Sequence, residues 1–304
     1  MKPKILLAGG TGFIGKALIE HIKDSGDVYT ISKYPKEKSV PNIKWLKRDI
    51  YKFKDMRVAM RDMDIAIYYL DPTKHSAKIT QATARVLNLI AADNFGRAAE
   101  LNGVKKIIYV RGSTYDDETL ETLGHYKTPI EVTDLKVKRP HVSVEFQPGK
   151  YDDMRSAQIM PLPKAWTIND FVKYYFEWLG QTSGTFVRTI VTNNYYAIYT
   201  NLDKKPIFEF EKYYDENNLL ILRMVDGRLT KNNRPKTAKL EFRKIPDKDY
   251  VIVHLMDYIP KMSWPLHYFL EAPLYQIIMR GFEVKCRIKR FQTTTTDEER
   301  VYTK

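Results

Sequence analysis

Close to the start of the chain, the stretch ILLAGGTGFIG places Gly9, Gly12 and Gly15 at intervals of three, directly after an apolar run. A strand that ends in a glycine turn and opens into a helix puts bare backbone N–H groups and the positive end of the helix dipole at one point, which is what a diphosphate requires. The first glycine permits the tight turn, the second lets main chain approach the phosphates, and the third lets helix and strand pack closely. The spacing predicts a dinucleotide site cradled by Gly9, Thr11, Gly12, Phe13, Ile14 and Gly15. Further along, ISKYPK offers Ser32 and Lys33 and no carboxylate before Glu37. An acidic side chain at that point would bond a ribose 2′-hydroxyl and repel a 2′-phosphate, whereas a hydroxyl and a cation welcome the phosphate, so NADP is expected ahead of NAD.

These residues need elements to hold them. Residues 4–8 read as a buried strand and 13–23 as a helix ending before Gly26, followed by strands at 28–32, 43–46, 64–70 and 105–110. A short helix around KDMRVAMR and a long one from about Ala77 to Asn102 separate the later strands. Strands alternating with helices imply βαβ units and a parallel sheet. VSVEF (142–146) reads as a further strand, and TINDFVKYYFEWLG as a helix capped by Thr167 or Asn169 and ending at Gly180. Beyond it, YYAIYT, IFEFEKYY, LLILRMV, KLEFRKI and DYVIVHLMDYI are strand-like runs separated by turn residues, an antiparallel meander. A helix from about Pro265 to Phe282 closes the pattern, with Leu266, Phe269, Leu270, Leu274, Ile277 and Ile278 recurring near helical spacing. The expected fold class is α/β: a Rossmann-type parallel sheet over 1–182, an antiparallel sheet with a long helix over 183–290, and a polar tail over 291–304.

The bulk of the chain sets bounds on function. With 304 residues and 43% apolar content it can bury more than one core. No apolar run approaches the ~20 residues that span a bilayer, and Lys2 and Lys4 lead straight into a strand, so a soluble cytoplasmic protein is expected. A single cysteine, Cys286, excludes an intrachain disulfide and a thiolate metal cluster, and no His, Asp and Glu grouping has metal-ligand spacing. The net charge of +13 is spread along the chain, which points to a solvated basic surface rather than a nucleic-acid or anionic-membrane partner.

GGTGFIG, the RDI at 48–50 and NGVKKIIYVRGS at 102–113 together resemble the short-chain dehydrogenase/reductase superfamily, in particular its extended and atypical members, the NAD(P)-binding epimerase-like and NmrA-like proteins. The resemblance covers about residues 4–180. It implies that Asp49 and Ile50 line an adenine site and that Ser113, or its neighbour Thr114, occupies the place of the family serine that holds the substrate oxygen. The family's acid/base tyrosine has a lysine four residues on, because a phenol near pKa 10 works as a base at neutral pH only when a cation stabilises its phenolate. Tyr126 is the next tyrosine in reach, yet the fourth residue after it is Ile130. HYKTPIEV (125–132) resembles a stretch of some atypical members, with Thr128 in a serine place and Pro129 in an arginine place. His125 would suit a general acid around neutral pH.

Three functions are compatible with this pattern: an NADPH-dependent oxidoreductase acting on a small carbonyl, enone or quinone, with Ser113, Tyr126, His125 and Thr128 as candidate catalytic groups; an NADP-binding sensor or scaffold without catalysis; and a nucleotide-sugar epimerase or dehydratase. The aromatic residues Tyr195, Tyr196, Tyr199, Phe208, Phe210, Phe242 and Tyr250 of the second domain form its core or line a cavity for a flat apolar ligand.

Overall fold

In the computed structural model, which describes residues 2–33, 35, 43–70, 77–137, 152–182, 186–202, 204–216, 218–231 and 237–294, the first apolar run becomes β1 (Lys4–Ala8), buried at all but its first position. It is flanked by α1 (Phe13–Ile22), β2 (Asp27–Ser32), β3 (Ile43–Lys47), α2 (Phe53–Ala59) and β4 (Ile65–Tyr68). After β5 (Ile79–Gln81) come α3 (Ala84–Leu101), β6 (Lys106–Tyr109), α4 (Asp116–Gly124) and β7 (Ile130–Val132). Six of these strands form one sheet in the order β3-β2-β1-β4-β6-β7, every pair parallel. That order is the doubly wound, Rossmann-type topology. Strands covered on both faces read as continuous apolar runs, as Ile5–Leu6–Leu7–Ala8 does.

The long helix is shorter than its pattern predicts. Residues 79–81 form β5 instead, and α3 begins after Thr83, whose hydroxyl accepts the Val86 N–H at 3.3 Å. Burial of α3 extends all round from Val86 to Ala99, so its polar side chains find partners inside: Asn88 donates to Thr119 Oγ1 at 2.8 Å, and Arg97 pairs with Asp93 at 3.3 Å.

The second sheet is built from β8 (Met154–Pro161), β9 (Val187–Val191), β10 (Tyr195–Thr200), β11 (Pro206–Glu216), β12 (Leu219–Asp226), β13 (Lys239–Lys244) and β14 (Tyr250–Tyr258), with β5 at its edge. Its order, β5-β8-β14-β13-β12-β11-β10-β9, is the expected meander of five strands extended at both ends. β8 and α5 (Ile168–Thr182) belong with this sheet, although the sequence pattern groups them with the first domain. MRSAQIMP carries no strong apolar signal, and its partner β14 lies some ninety residues on. The two compact units are Met1–Ser76 with Thr83–Pro148, and Ala77–Ala82 with Gly149–Lys304. VSVEF lies outside the described residues.

Thr167 caps α5 through a reciprocal box, its hydroxyl accepting the Asp170 N–H at 3.2 Å while its own N–H donates to the Asp170 carboxylate at 2.8 Å. The closing helix runs from α6 (Trp264–Leu266) through a π-helical segment (His267–Glu271) into α7 (Ala272–Thr294). Its sequence-assigned apolar face is largely reversed: Ala272, Met279, Phe282 and Cys286 point into the core with Ile278 packed against it, and Leu266, Phe269, Leu270, Leu274 and Ile277 are exposed. Phe282 is ringed by Phe171, Tyr175 and Trp178 of α5 at centroid distances of 5.3, 4.9 and 5.2 Å. Of the aromatic residues on the strands, Tyr196, Phe210 and Phe242 are part of this core. Among the described residues no helix is long and apolar enough to cross a membrane.

Candidate functional site

The glycine turn lies at the carboxyl edge of the parallel sheet, where β1 ends. Gly9 adopts φ +83°, in the left-handed region, and a Cβ there would stand 3.0 Å from the Tyr69 carbonyl oxygen. The Gly10 N–H donates to Thr30 Oγ1 at 3.1 Å, and the Thr30 hydroxyl donates to the Leu7 carbonyl at 3.1 Å, so a fully buried side chain of β2 pins the turn to β1. A Cβ on Gly15 would overlap the Gly9 carbonyl, which gives the third glycine its packing role. The helix start that results carries no compensation of its own. Gly12 is the N-cap of α1 and supplies no capping side chain, and the first turn contains no acidic residue. An uncapped, uncompensated helix end next to a backbone approach that any Cβ would obstruct fits the diphosphate of a dinucleotide.

The neighbouring strands add their own ends to the same edge. Ser32 terminates β2 and Lys33 follows it, both half-buried. The Arg48 N–H donates to the Ser32 carbonyl at 3.0 Å, which brings the Arg48 main chain beside them, while its guanidinium donates to the Lys47 carbonyl at 2.9 Å. Arg48 was not singled out from the sequence; its signal was its place in RDI. Asp49 is buried, its Oδ1 accepting the Tyr51 N–H at 3.1 Å and its own N–H donating to Asp55 Oδ2 at 2.9 Å. Burial pushes the Asp55 carboxyl up, against the opposing pull of that N–H. The Ile50 carbonyl accepts from Asn94 Nδ2 at 2.9 Å, which ties this loop to α3.

Of the four candidate catalytic residues, Ser113 alone reaches this edge, in the loop after β6. Its N–H donates to Asp116 Oδ1 at 2.9 Å, and its Oγ accepts the Tyr115 N–H at 3.2 Å. Asp116 organises the whole loop, since it also accepts the Gly112 N–H at 3.0 Å and the Tyr109 hydroxyl at 2.6 Å. His125, Tyr126 and Thr128 instead lead into β7 and so approach the sheet from its amino edge, where Ile107 N–H donates to the Pro129 carbonyl. The Tyr126 hydroxyl donates to Asp93, its ring lies where a Cβ on Gly96 would fall, and the Arg97 guanidinium stands 5.7 Å from the ring centroid. The structure therefore does not gather the four into one constellation.

A second polar group was not legible in the sequence. On the antiparallel sheet Glu241 of β13 faces His254 of β14 in register, and Arg243 grips Glu241 Oε1 through Nη2 at 2.8 Å and Nε at 2.9 Å. All three side chains are fully buried. Burial opposes the charge on Glu241, yet Arg243 and His254 outweigh it and hold the carboxyl at about 2. Burial lowers the pKa of His254, with the charges of Arg155 and Arg243 adding to it, against the opposing pull of Glu241 3.7 Å away. Among the described residues no group of three or more His, Cys, Asp or Glu could hold a metal ion.

The strand order, the glycine cradle and the bare helix end define a dinucleotide-binding domain, and residues 9–139 match the NAD(P)H-binding family. Over its full length the chain belongs to the family of the auxiliary protein GraX of Staphylococcus aureus (strain NCTC 8325 / PS 47), to which it is 47% identical over 307 residues, covering 100% of both chains. Among solved structures it is similar to uronate dehydrogenase from Agrobacterium tumefaciens, at 16% identity over 36% of this chain and 41% of that one, with a TM-score of 0.30. It is also similar to UDP-N-acetylglucosamine 4-epimerase from Bacillus cereus, at 25% identity over 39% of this chain and 38% of that one, with a TM-score of 0.28. The chain thus spans about two fifths of these solved relatives.

Proposed function

We propose that the first unit binds NADP(H), with the diphosphate against the Gly9–Gly15 turn, the 2′-phosphate beside Ser32, Lys33 and Arg48, and the adenine near Asp49 and Ile50, and that occupancy of this site biases a contact with a protein partner. The observation that carries this reading is the placement of Tyr126. Its hydroxyl is engaged by the buried Asp93 and its segment enters the sheet at the amino edge, away from the glycine turn. The S. aureus relative is called an auxiliary protein, which agrees with a role exercised through a partner.

Titration calorimetry with NADPH and NADH tests the coenzyme. The wild-type chain should take up NADPH more tightly, and Lys33→Glu should cost about tenfold for NADPH while leaving NADH near its original affinity. Equal losses for both coenzymes would remove the 2′-phosphate assignment. Partner capture with and without NADP tests the second half, since reciprocal linkage requires recovery to change with occupancy.

A second reading, an NADPH-dependent oxidoreductase, draws on the position of Ser113 at the same sheet edge as the glycine turn. NADPH supplies a hydride when bound; the chain's task would be to hold a carbonyl, enone or quinone near Ser113 and keep water away. Coenzyme oxidation with any member of such a substrate panel would favour it over the sensor. Nucleotide-sugar epimerisation or dehydration ranks last, because removing and returning a proton depends on an assembled acid/base pair.

A further inference from the structure

We infer that the outer face of the closing helix is a docking surface for an anionic lipid bilayer. From Trp264 to Thr294 the helix is about 45 Å long at 1.5 Å per residue. Leu270, Leu274, Ile277, Val284 and Ile288 recur at steps of four, three, seven and four, which keeps them on one stripe. They are exposed, Leu274 at 57% and Ile277 at 66%, and Phe269 stands beside the stripe at 72%. The residues that attach the helix to its own unit, Ala272, Met279, Phe282 and Cys286, occupy the opposite side. An apolar band of this length on a structured helix is a recognition surface rather than scattered surface hydrophobes.

Charge decides what covers it. At 100° per residue, Arg280 and Arg287 border the stripe on one side and Lys285 and Lys289 on the other. Glu283 is paired with Arg287 at 2.6 Å and offsets that one cation, whereas Glu271 is turned inward, 2.7 Å from His267 Nδ1 and bonded to the Tyr258 hydroxyl, so Arg280, Lys285 and Lys289 keep the border basic. Two copies of the helix laid stripe to stripe would set these cations against one another, which disfavours a second copy. An apolar face with basic borders is the pattern that lies in the headgroup region of an anionic membrane, with the aromatic and aliphatic side chains entering the acyl boundary. The inward contacts of Glu271, with His267 buried against Met154 Sδ at 3.2 Å, fix the helix in place so that the stripe is presented without unfolding.

The test is sedimentation of the full chain with phosphatidylglycerol vesicles and with phosphatidylcholine vesicles, beside a sizing experiment without lipid. Binding to the anionic vesicles only, weakening as salt is added, is expected. Arg280→Gln, Lys285→Gln and Arg287→Gln should each weaken partitioning about fivefold. Leu274→Glu with Ile277→Glu should lose more than tenfold with the thermal transition unchanged, because neither side chain contributes to the core. Equal binding to both vesicle types, no binding to either, or apolar-stripe variants that sediment like the wild type would overturn the inference. So would a dimer in the sizing experiment that those variants dissociate, since the stripe would then be filled by a second copy.

Discussion

Thr30→Val isolates the device that shapes the coenzyme turn. Valine fills nearly the same volume in a fully buried position but cannot accept the Gly10 N–H or donate to the Leu7 carbonyl. An orphaned buried N–H costs about 1–3 kcal/mol, and the lost donor to Leu7 adds about 1 kcal/mol more. Thr30→Ser keeps both hydrogen bonds and removes one methyl, at about 1 kcal/mol. The two variants therefore separate packing from turn geometry. Denaturant unfolding should show the valine variant distinctly less stable than the serine variant, and calorimetry should show NADPH affinity reduced about tenfold, equivalent to 1.4 kcal/mol, in the valine variant alone. If the valine variant binds NADPH as the wild type does, or if the two variants are indistinguishable, Thr30 does not set the turn and the cradle is held by something else.

Two further outcomes follow from the second unit. His254 is held neutral, its pKa below the ordinary 6.5, so the unfolded chain binds the extra proton first and stability declines as pH falls below 6.5; Glu241, held at about 2, adds a second decline between its ordinary 4.5 and that value. Denaturant unfolding at a series of pH values should show both declines in stability, His254→Leu should remove the upper one, and a stability unchanged from pH 7 to 3 would contradict the buried pair. Cys286 is buried and its thiol is pushed up to about 12, by burial first and Glu283 second, so the native chain should react with a disulfide reagent on the order of a thousandfold more slowly than an open thiol. Rapid native labelling would mean that α7 leaves the core readily.

Much of the fold could be read from the sequence because two periodicities dominate it. The βαβ alternation around Gly9–Gly15 and the five apolar runs after residue 195 each give one structural answer. What was not legible involved partners distant in the chain. β8 has no apolar alternation to announce it, and its pairing with β14 and β5, both far away in the chain, makes it a strand. The reversed face of the closing helix has a similar cause: two apolar faces run along it, and composition alone cannot tell that Phe282 and Cys286 face the aromatic residues of α5 while Leu274 and Ile277 face outward. In the site, the glycines were identifiable because backbone geometry demands them. Thr30 and Asp116 were not, since their value comes from hydrogen bonds to main chain made possible by the folded turn.

The path of the chain after β6 bears on function more than any single residue. From Tyr109 it makes one loop fixed by Asp116, one short helix, α4, and then enters β7 from the amino edge. The segment that brings Tyr126 is consequently spent on reaching the far edge of the sheet, where the ring packs on α3 at Gly96. Ser113 stays behind at the carboxyl edge with the glycine turn, as a hydroxyl whose loop is already organised without a substrate. A binding site can be complete under that arrangement, since every contact assigned to the dinucleotide comes from strand ends and the start of α1 at one edge. A proton-transfer site needs in addition an acid or base brought to the same edge, and the segment from His125 to Thr128 is routed elsewhere. The physical distinction between a coenzyme-reading protein and a coenzyme-consuming one therefore rests on this short connection, and NADPH uptake without turnover is the outcome it favours.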